Sequence, residues 1–160
     1  FVFSFDSLVH AELDIFESYI PQILGNLSRR GVAFIHHSNL ASLIGLGTNP
    51  HLRARSVSAE KVRHLITAAG GAVLVQEVIN WREIAGLDCL TLFGTQSGFA
   101  RTQPVVLENS AFMAEATLVR EVQARWSRVG SRVAEGDAGT DGGCPRVGAK
   151  ALSPTRHRPT

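Results

Sequence analysis

The chain has few of the residues that mark secreted, metal-binding or membrane proteins. It contains two cysteines, Cys89 and Cys144, which lie in segments of different character and share no metal-ligand spacing. This usage fits a reducing cytosol rather than a disulfide framework. No apolar run approaches the roughly 18 residues that a membrane span requires, and no basic-then-apolar signal segment opens the chain. We therefore expect a cytoplasmic protein that does not enter a membrane.

The chain also lacks a basic face. Ten of its 16 basic and 11 of its 14 acidic residues precede Ser127, so the net charge of +2 comes from the last part of the chain. A nucleic-acid binder needs Lys and Arg gathered on a folded face, and this pattern is absent. The last part is rich in Gly, Arg, Ala, Pro and Ser and has little to bury. We predict one domain over residues 1–126, a disordered basic tail over residues 127–160, and no nucleic-acid partner.

The first third of the chain has the pattern of a strand, a helix and a second strand. Residues 1–5 and 32–37 are apolar or small on both faces, which is typical of parallel strands covered on both sides, and we expect the first to be central. The segment between them has helical spacing, with Asp14 in a capping box and Gly31 as its stop. Pro21 predicts a kink or the start of a new helix.

The remaining pattern predicts a long loop, a helix, a hairpin and a last helix. The loop is long enough for a lid or a substrate-facing insertion. The helix after it has Ser58 as its cap and Gly70-Gly71 as its stop. The two strands of the hairpin are joined by a connection too short for a helical crossover, so they should pair antiparallel. The predicted ranges are 38–57 for the loop, 72–81 and 87–93 for the strands, and 109–126 for the last helix.

Over roughly residues 1–94, this order resembles the second half of a class I S-adenosylmethionine-dependent methyltransferase. The resemblance implies an α/β fold: a partial Rossmann-like sheet, mostly parallel, with a C-terminal antiparallel hairpin and helices on both faces. It implies S-adenosylmethionine as cofactor, with the glycine-rich cofactor loop upstream of residue 1. It further implies O-methylation of a small metabolite or natural-product sugar. Phe5, Asp6 and Ser7 match the turn after the family's fourth strand, where a polar residue faces the methionine portion of the cofactor.

The motif His36-His37-Ser38-Asn39 follows at the carboxyl end of the second strand, the edge where open α/β sheets bind ligands. Neighbouring strand residues face opposite sides, so one imidazole can face a cavity while the other packs. Such a histidine can take the proton of an acceptor hydroxyl. We predict His37 as this base, then His36 or His10. Two hydrogen-bonded structural histidines are the competing interpretation.

Other polar residues have weaker patterns. Asn39 and Trp81 are predicted to border the substrate, and Glu77 and Asp88 lie around the same hairpin, although Trp81 also suits a core position. Asp6 can instead stabilise its own turn. Arg53 and its neighbours are most simply solvated loop charges. No spacing typical of metal ligands joins His10 and Glu12 to the later histidines, so we predict no metal.

Two other classes of protein fit the same pattern of elements. A truncated, non-catalytic α/β binding or assembly module would keep the sheet without the activity. A nicotinamide-dependent Rossmann enzyme would also need an upstream glycine-rich loop, and its sheet does not normally end in a hairpin. A glycine-rich strand-turn-helix encoded upstream of residue 1 would favour an enzyme over the binding module.

Overall fold

The computed structural model describes residues 1–43, 45–49 and 51–122. The predicted tail and the end of the predicted last helix lie outside the described residues. Residues 1–120 form one compact unit. Its strands are β1 (Val2–Ser4), β2 (Val32–Ser38), β3 (Gly71–Trp81), β4 (Ile84–Thr95) and β5 (Val105–Asn109), and its α-helices are α1 (Leu13–Asn26), α2 (Ala59–Ala68) and the short α3 (Gln96–Phe99). Helical backbone also occupies residues 112–122.

The unit is an α/β fold with one mixed, five-stranded sheet in the order β1-β2-β4-β3-β5. β1 is parallel to β2 and β3 is parallel to β5. β4 is antiparallel to both of its neighbours, β2 and β3. The expectation of a mostly parallel sheet is therefore wrong for the described strands, which form two parallel and two antiparallel pairs. The predicted antiparallel hairpin is therefore confirmed, with its second strand inserted between β2 and β3. The prediction of a central first strand is wrong for the described sheet, because β1 pairs with β2 alone and forms an edge.

Both long helices pack on the same face of the sheet. Phe16 of α1 and Ile66 of α2 belong to one buried cluster with Ile35 of β2 and Phe93 of β4. The expectation of helices on both faces is thus wrong for α1 and α2. Residues at every second position of β2 face these helices, and the residues between them face the opposite side. This alternation sends the side chains of His36 and His37 to different sides of the sheet.

Several helix and strand limits differ from the sequence prediction. Pro21 lies inside a continuous α1, and Glu12, rather than Asp14, is its N-cap residue. The helix ends at Asn26, five residues before Gly31, the predicted stop. For α2 the prediction holds: the Ser58 hydroxyl accepts a hydrogen bond from the Lys61 amide at 3.3 Å. The pattern missed β5, which occupies the residues just before the last helical segment.

Candidate active site

A buried carboxylate is the centre of a polar cluster at the edge of the sheet where β2 and β3 end and β4 begins. Asp88 is fully buried near the start of β4. The Arg53 guanidinium donates two hydrogen bonds to it, from Nε to Oδ1 at 3.0 Å and from Nη2 to Oδ2 at 2.7 Å. This bidentate geometry is the strongest form of a carboxylate–guanidinium pair. Arg53, which the sequence analysis interpreted as a solvated loop charge, is 5% exposed. That interpretation is wrong, because Asp88 compensates its charge inside the protein.

His36 connects this ion pair to the turn after β1. Its Nδ1 accepts a hydrogen bond from the Asp6 amide at 3.2 Å, and its Nε2 lies 3.1 Å from Asp88 Oδ2. Because Nδ1 is the acceptor, the neutral ring carries its proton on Nε2 and donates it to the carboxylate. The rings of Phe5 and Trp81 pack beside it in tilted orientations, at centroid distances of 4.7 and 5.3 Å. Both nitrogens of His36 are therefore hydrogen-bonded, and the side chain is fully buried.

Asp6 closes the cluster from the solvent side. Its backbone has φ +56°, in the left-handed region that Asp tolerates better than most residues. Its carboxylate is half-exposed, and Oδ1 lies 3.6 Å from Arg53 Nη2. The Arg53 guanidinium also lies over the Trp81 ring, 4.9 Å from its centroid. The backbone amide and the side chain of Asp6 thus meet opposite ends of one connected group of side chains.

His37 lies on the helix-facing side of β2 and takes no part in this cluster. Its Nδ1 donates to the Ser38 carbonyl at 2.8 Å, and its Nε2 accepts from the Thr91 hydroxyl at 2.8 Å. Phe16 contacts the ring edge-on at 5.8 Å between centroids. Burial lowers the pKa of His37 to about 4, an effect that the hydrogen bond to Ser38 only partly offsets. The geometry is that of a neutral core histidine.

His10, by contrast, is exposed in the turn after β1. Its Nδ1 lies 2.8 Å from the carbonyl oxygen of Leu52. Since a carbonyl can only accept, Nδ1 carries the proton and the Nε2 lone pair of the neutral ring is free to take another. Leu52 itself has φ +52°, a conformation that costs a non-glycine residue free energy. Of the three predicted histidines, His10 alone presents a basic nitrogen outside the core.

The remaining predicted residues support the backbone around the cluster. The Ser7 hydroxyl donates to the Phe5 carbonyl at 3.2 Å. Asn39 donates from Nδ2 to the Gly86 carbonyl at 2.9 Å, and its Oδ1 accepts from the Ser42 hydroxyl and the Ala59 amide. Asn39 thereby links three segments of chain. It also lines an open groove of about 310 Å³ between the loop after β2 and the β3–β4 hairpin.

The loop that carries Arg53 is attached to the start of α1 through Glu12. The Glu12 carboxylate accepts hydrogen bonds from the Arg55 amide at 3.0 Å and the Ser56 amide at 2.9 Å, and also from the Ser56 hydroxyl. These bonds, led by that of the hydroxyl, lower the pKa of Glu12. The loop predicted as a lid is therefore held to α1 just after Arg53, at Arg55 and Ser56.

The described residues contain no group of three or more His, Cys, Asp or Glu side chains arranged to hold a metal ion. Within the same residues, no helix combines the length and the apolar character that a membrane crossing needs. No protein-family model, curated protein or solved structure matches the chain.

Proposed function

We propose that this chain forms the C-terminal part of a class I S-adenosylmethionine-dependent methyltransferase sheet and that the enzyme O-methylates a small metabolite or natural-product sugar. The strand order carries the proposal. In the resembling family the last strand is inserted antiparallel, and here β4 lies antiparallel between β2 and β3, although β5 follows it and extends the sheet beside β3. The polar cluster supports it further, because its residues gather where open α/β sheets bind ligands.

The turn after β1 fits the methionine portion of this cofactor. Phe5 and the Asp6 carboxylate are both part-exposed there, at 40% for Phe5 and 50% for the Asp6 side chain. A carboxylate at this position can accept a hydrogen bond from an α-ammonium group, and an aromatic ring can cover an apolar chain. The cofactor, when bound, supplies an electrophilic methyl group on a sulfonium. The Asp6 carboxylate would hold and orient the cofactor.

We assign the proton-accepting role to His10 rather than to His37. Methyl transfer to a hydroxyl needs in-line positioning and a base with an accessible lone pair. Both nitrogens of His36 and of His37 are already hydrogen-bonded inside the protein. The His10 ring is exposed, and the Leu52 carbonyl fixes its proton on Nδ1. Its Nε2 can therefore receive the proton of an acceptor hydroxyl.

The test uses the polypeptide encoded by the whole reading frame around this chain, because the resemblance places the glycine-rich loop upstream of residue 1. Equilibrium dialysis with tritium-labelled S-adenosylmethionine measures binding, and label transfer to a panel of hydroxyl-bearing sugars measures activity. We expect Asp6→Asn to weaken cofactor binding about 10-fold, the value of one charge-assisted hydrogen bond. We expect His10→Asn to slow transfer about 100-fold.

His64→Asn is the matched control, because His64 is exposed on α2 and lies outside the cluster. It should change neither binding nor transfer. A wild-type polypeptide that does not bind S-adenosylmethionine would refute the proposal and favour the non-catalytic assembly module. That alternative has one observation in its favour: Phe1 and Phe3 are 79% and 63% exposed on the edge of the sheet.

A further inference from the structure

The contacts of Asp6 form a closed ring of interactions. The first interaction of this closed series is the hydrogen bond that the Asp6 backbone amide donates to His36 Nδ1 at 3.2 Å. The series continues from His36 Nε2 to Asp88 at 3.1 Å, and from Asp88 to the Arg53 guanidinium at 2.7 Å. It returns from Arg53 Nη2 to the Asp6 carboxylate at 3.6 Å. Every member except Asp6 is at least 95% buried.

We propose that Arg53, Asp88 and His36 are positioning residues that set the backbone conformation of Asp6 and the direction of its carboxylate. We call these three residues the relay, and they act on Asp6 through the tautomer of His36. The Asp88 carboxylate accepts a hydrogen bond from the Nε2–H group of His36. This favours the tautomer whose Nδ1 carries no proton and can accept a hydrogen bond from the Asp6 amide. Arg53 fixes Asp88 with a planar, two-pronged contact that a lysine cannot reproduce.

The left-handed backbone of Asp6 explains why such a relay is needed. A non-glycine residue adopts a positive φ at a cost in free energy, and it stays there only when its surroundings hold it. Here the hydrogen bond from its amide to His36 and the attraction of Arg53 for its carboxylate act on two substituents of the same Cα atom. The functional meaning of this arrangement rests on the proposed role of Asp6 in holding the cofactor.

The relay is testable in the full 160-residue chain without any ligand. In the ¹⁵N-labelled wild type, long-range ¹H–¹⁵N correlation should show the His36 proton on Nε2, and the Asp6 amide should be protected from hydrogen exchange. A His36 proton on Nδ1 would overturn the proposal without any substitution. The Leu13 amide, which donates to Ser56 Oγ at 2.9 Å, is an internal reference outside the ring.

Two substitutions of His36 separate its two hydrogen bonds. His36→Gln can still donate to Asp88 but offers no acceptor near the position of Nδ1, so the Asp6 amide should exchange about 10-fold faster. His36→Asn places its carbonyl oxygen near that position and should retain most of the protection. Equal exchange rates for Asp6 in the two variants would overturn the proposal.

Arg53→Lys gives the most specific result, because Arg53 does not contact the Asp6 amide. The variant keeps the positive charge and loses the two-pronged contact with Asp88. The Asp6 amide should then exchange at least threefold faster while the Leu13 amide is unchanged. An unchanged Asp6 rate in a folded variant would refute the relay. If the relay responds but the wild-type enzyme does not bind S-adenosylmethionine, the relay stands and the proposed function fails.

Discussion

Replacing His37 by glutamine should change how the stability of the protein depends on pH. His37 is fully buried, with its two ring nitrogens bonded to the Ser38 carbonyl and the Thr91 hydroxyl. Burial lowers its pKa from 6.5 to about 4 in the folded protein. In the unfolded chain the ring is solvated and takes up its proton near pH 6.5.

The sign of the effect follows from which state binds the proton first. Between pH 6.5 and 4 the unfolded chain is protonated at His37 and the folded chain is not, so the free energy of unfolding falls as the pH falls. The pKa values of 6.5 and about 4 correspond to a loss of about 3 kcal/mol by pH 4. Above pH 7 neither state carries the proton, and His37 contributes no dependence on pH.

Urea denaturation followed by circular dichroism at pH 7.5, 5 and 4 measures this effect. The His37→Gln variant lacks the titrating group, so wild type should lose about 3 kcal/mol more than the variant between pH 7.5 and 4. His64→Gln, an exposed histidine on α2, is the control and should follow wild type. The same pH dependence in wild type and His37→Gln would show that His37 is not a neutral core residue.

Other groups of the structure give three further predictions. Asp88→Asn leaves the buried guanidinium of Arg53 with only the half-exposed Asp6 carboxylate, 3.6 Å away, and should lower the free energy of unfolding by about 3 kcal/mol in urea denaturation. Glu12→Gln should destabilise the chain at neutral pH, and the difference from wild type should vanish in acid denaturation as the pH falls through the lowered pKa of Glu12. Burial raises the pKa of Cys89 to about 12, so in a Cys144→Ser background a thiol reagent should modify it only when the protein unfolds.

Each of these predictions has a clear contrary result. Glu83→Gln removes an exposed carboxylate in the turn between β3 and β4 and should change stability by less than about 0.5 kcal/mol. An Asp88→Asn effect no larger than that would contradict a buried ion pair. A constant difference between Glu12→Gln and wild type down to pH 2 would contradict the lowered pKa. Modification of Cys89 faster than unfolding would contradict its burial.

The periodic pattern predicted the elements that local sequence determines. Short runs that are apolar or small on both faces located β1 and β2, and the short connection after Trp81 predicted the hairpin of β3 and β4. Ser58 was recognisable as a cap because its side chain bonds within its own helix. Pro21 shows the limit of such rules. Pro21 lies on the exposed side of α1. On the opposite side the buried residues Phe16, Ile20 and Leu24 stabilise the helix, even though Pro21 has no N–H group to donate a backbone hydrogen bond.

The charged part of the site was harder to predict. Arg53 and Asp88 are 35 residues apart in the sequence, and each alone has the pattern of a solvated loop or hairpin charge. Only the tertiary fold brings them together and removes both from water. Likewise, alternation along β2 correctly predicted that His36 and His37 face different sides. It could not decide which side holds the helices, and the position of α1 and α2 makes His37 the core residue.

The sheet topology by itself determines where Asp88 lies. A strand that runs antiparallel between two parallel neighbours starts at the edge where those neighbours end. Asp88 lies near the start of β4, opposite Ser38 at the end of β2 and Ile79 near the end of β3. The predicted antiparallel hairpin therefore implied a carboxylate at the ligand-binding edge, beside the turn that carries Asp6. A carboxylate there needs a cation once it is buried, and the loop after β2 ends near the same edge. Topology and the cost of burying a charge thus point to an arginine of that loop, and the structure shows that Arg53 rather than Arg55 binds Asp88.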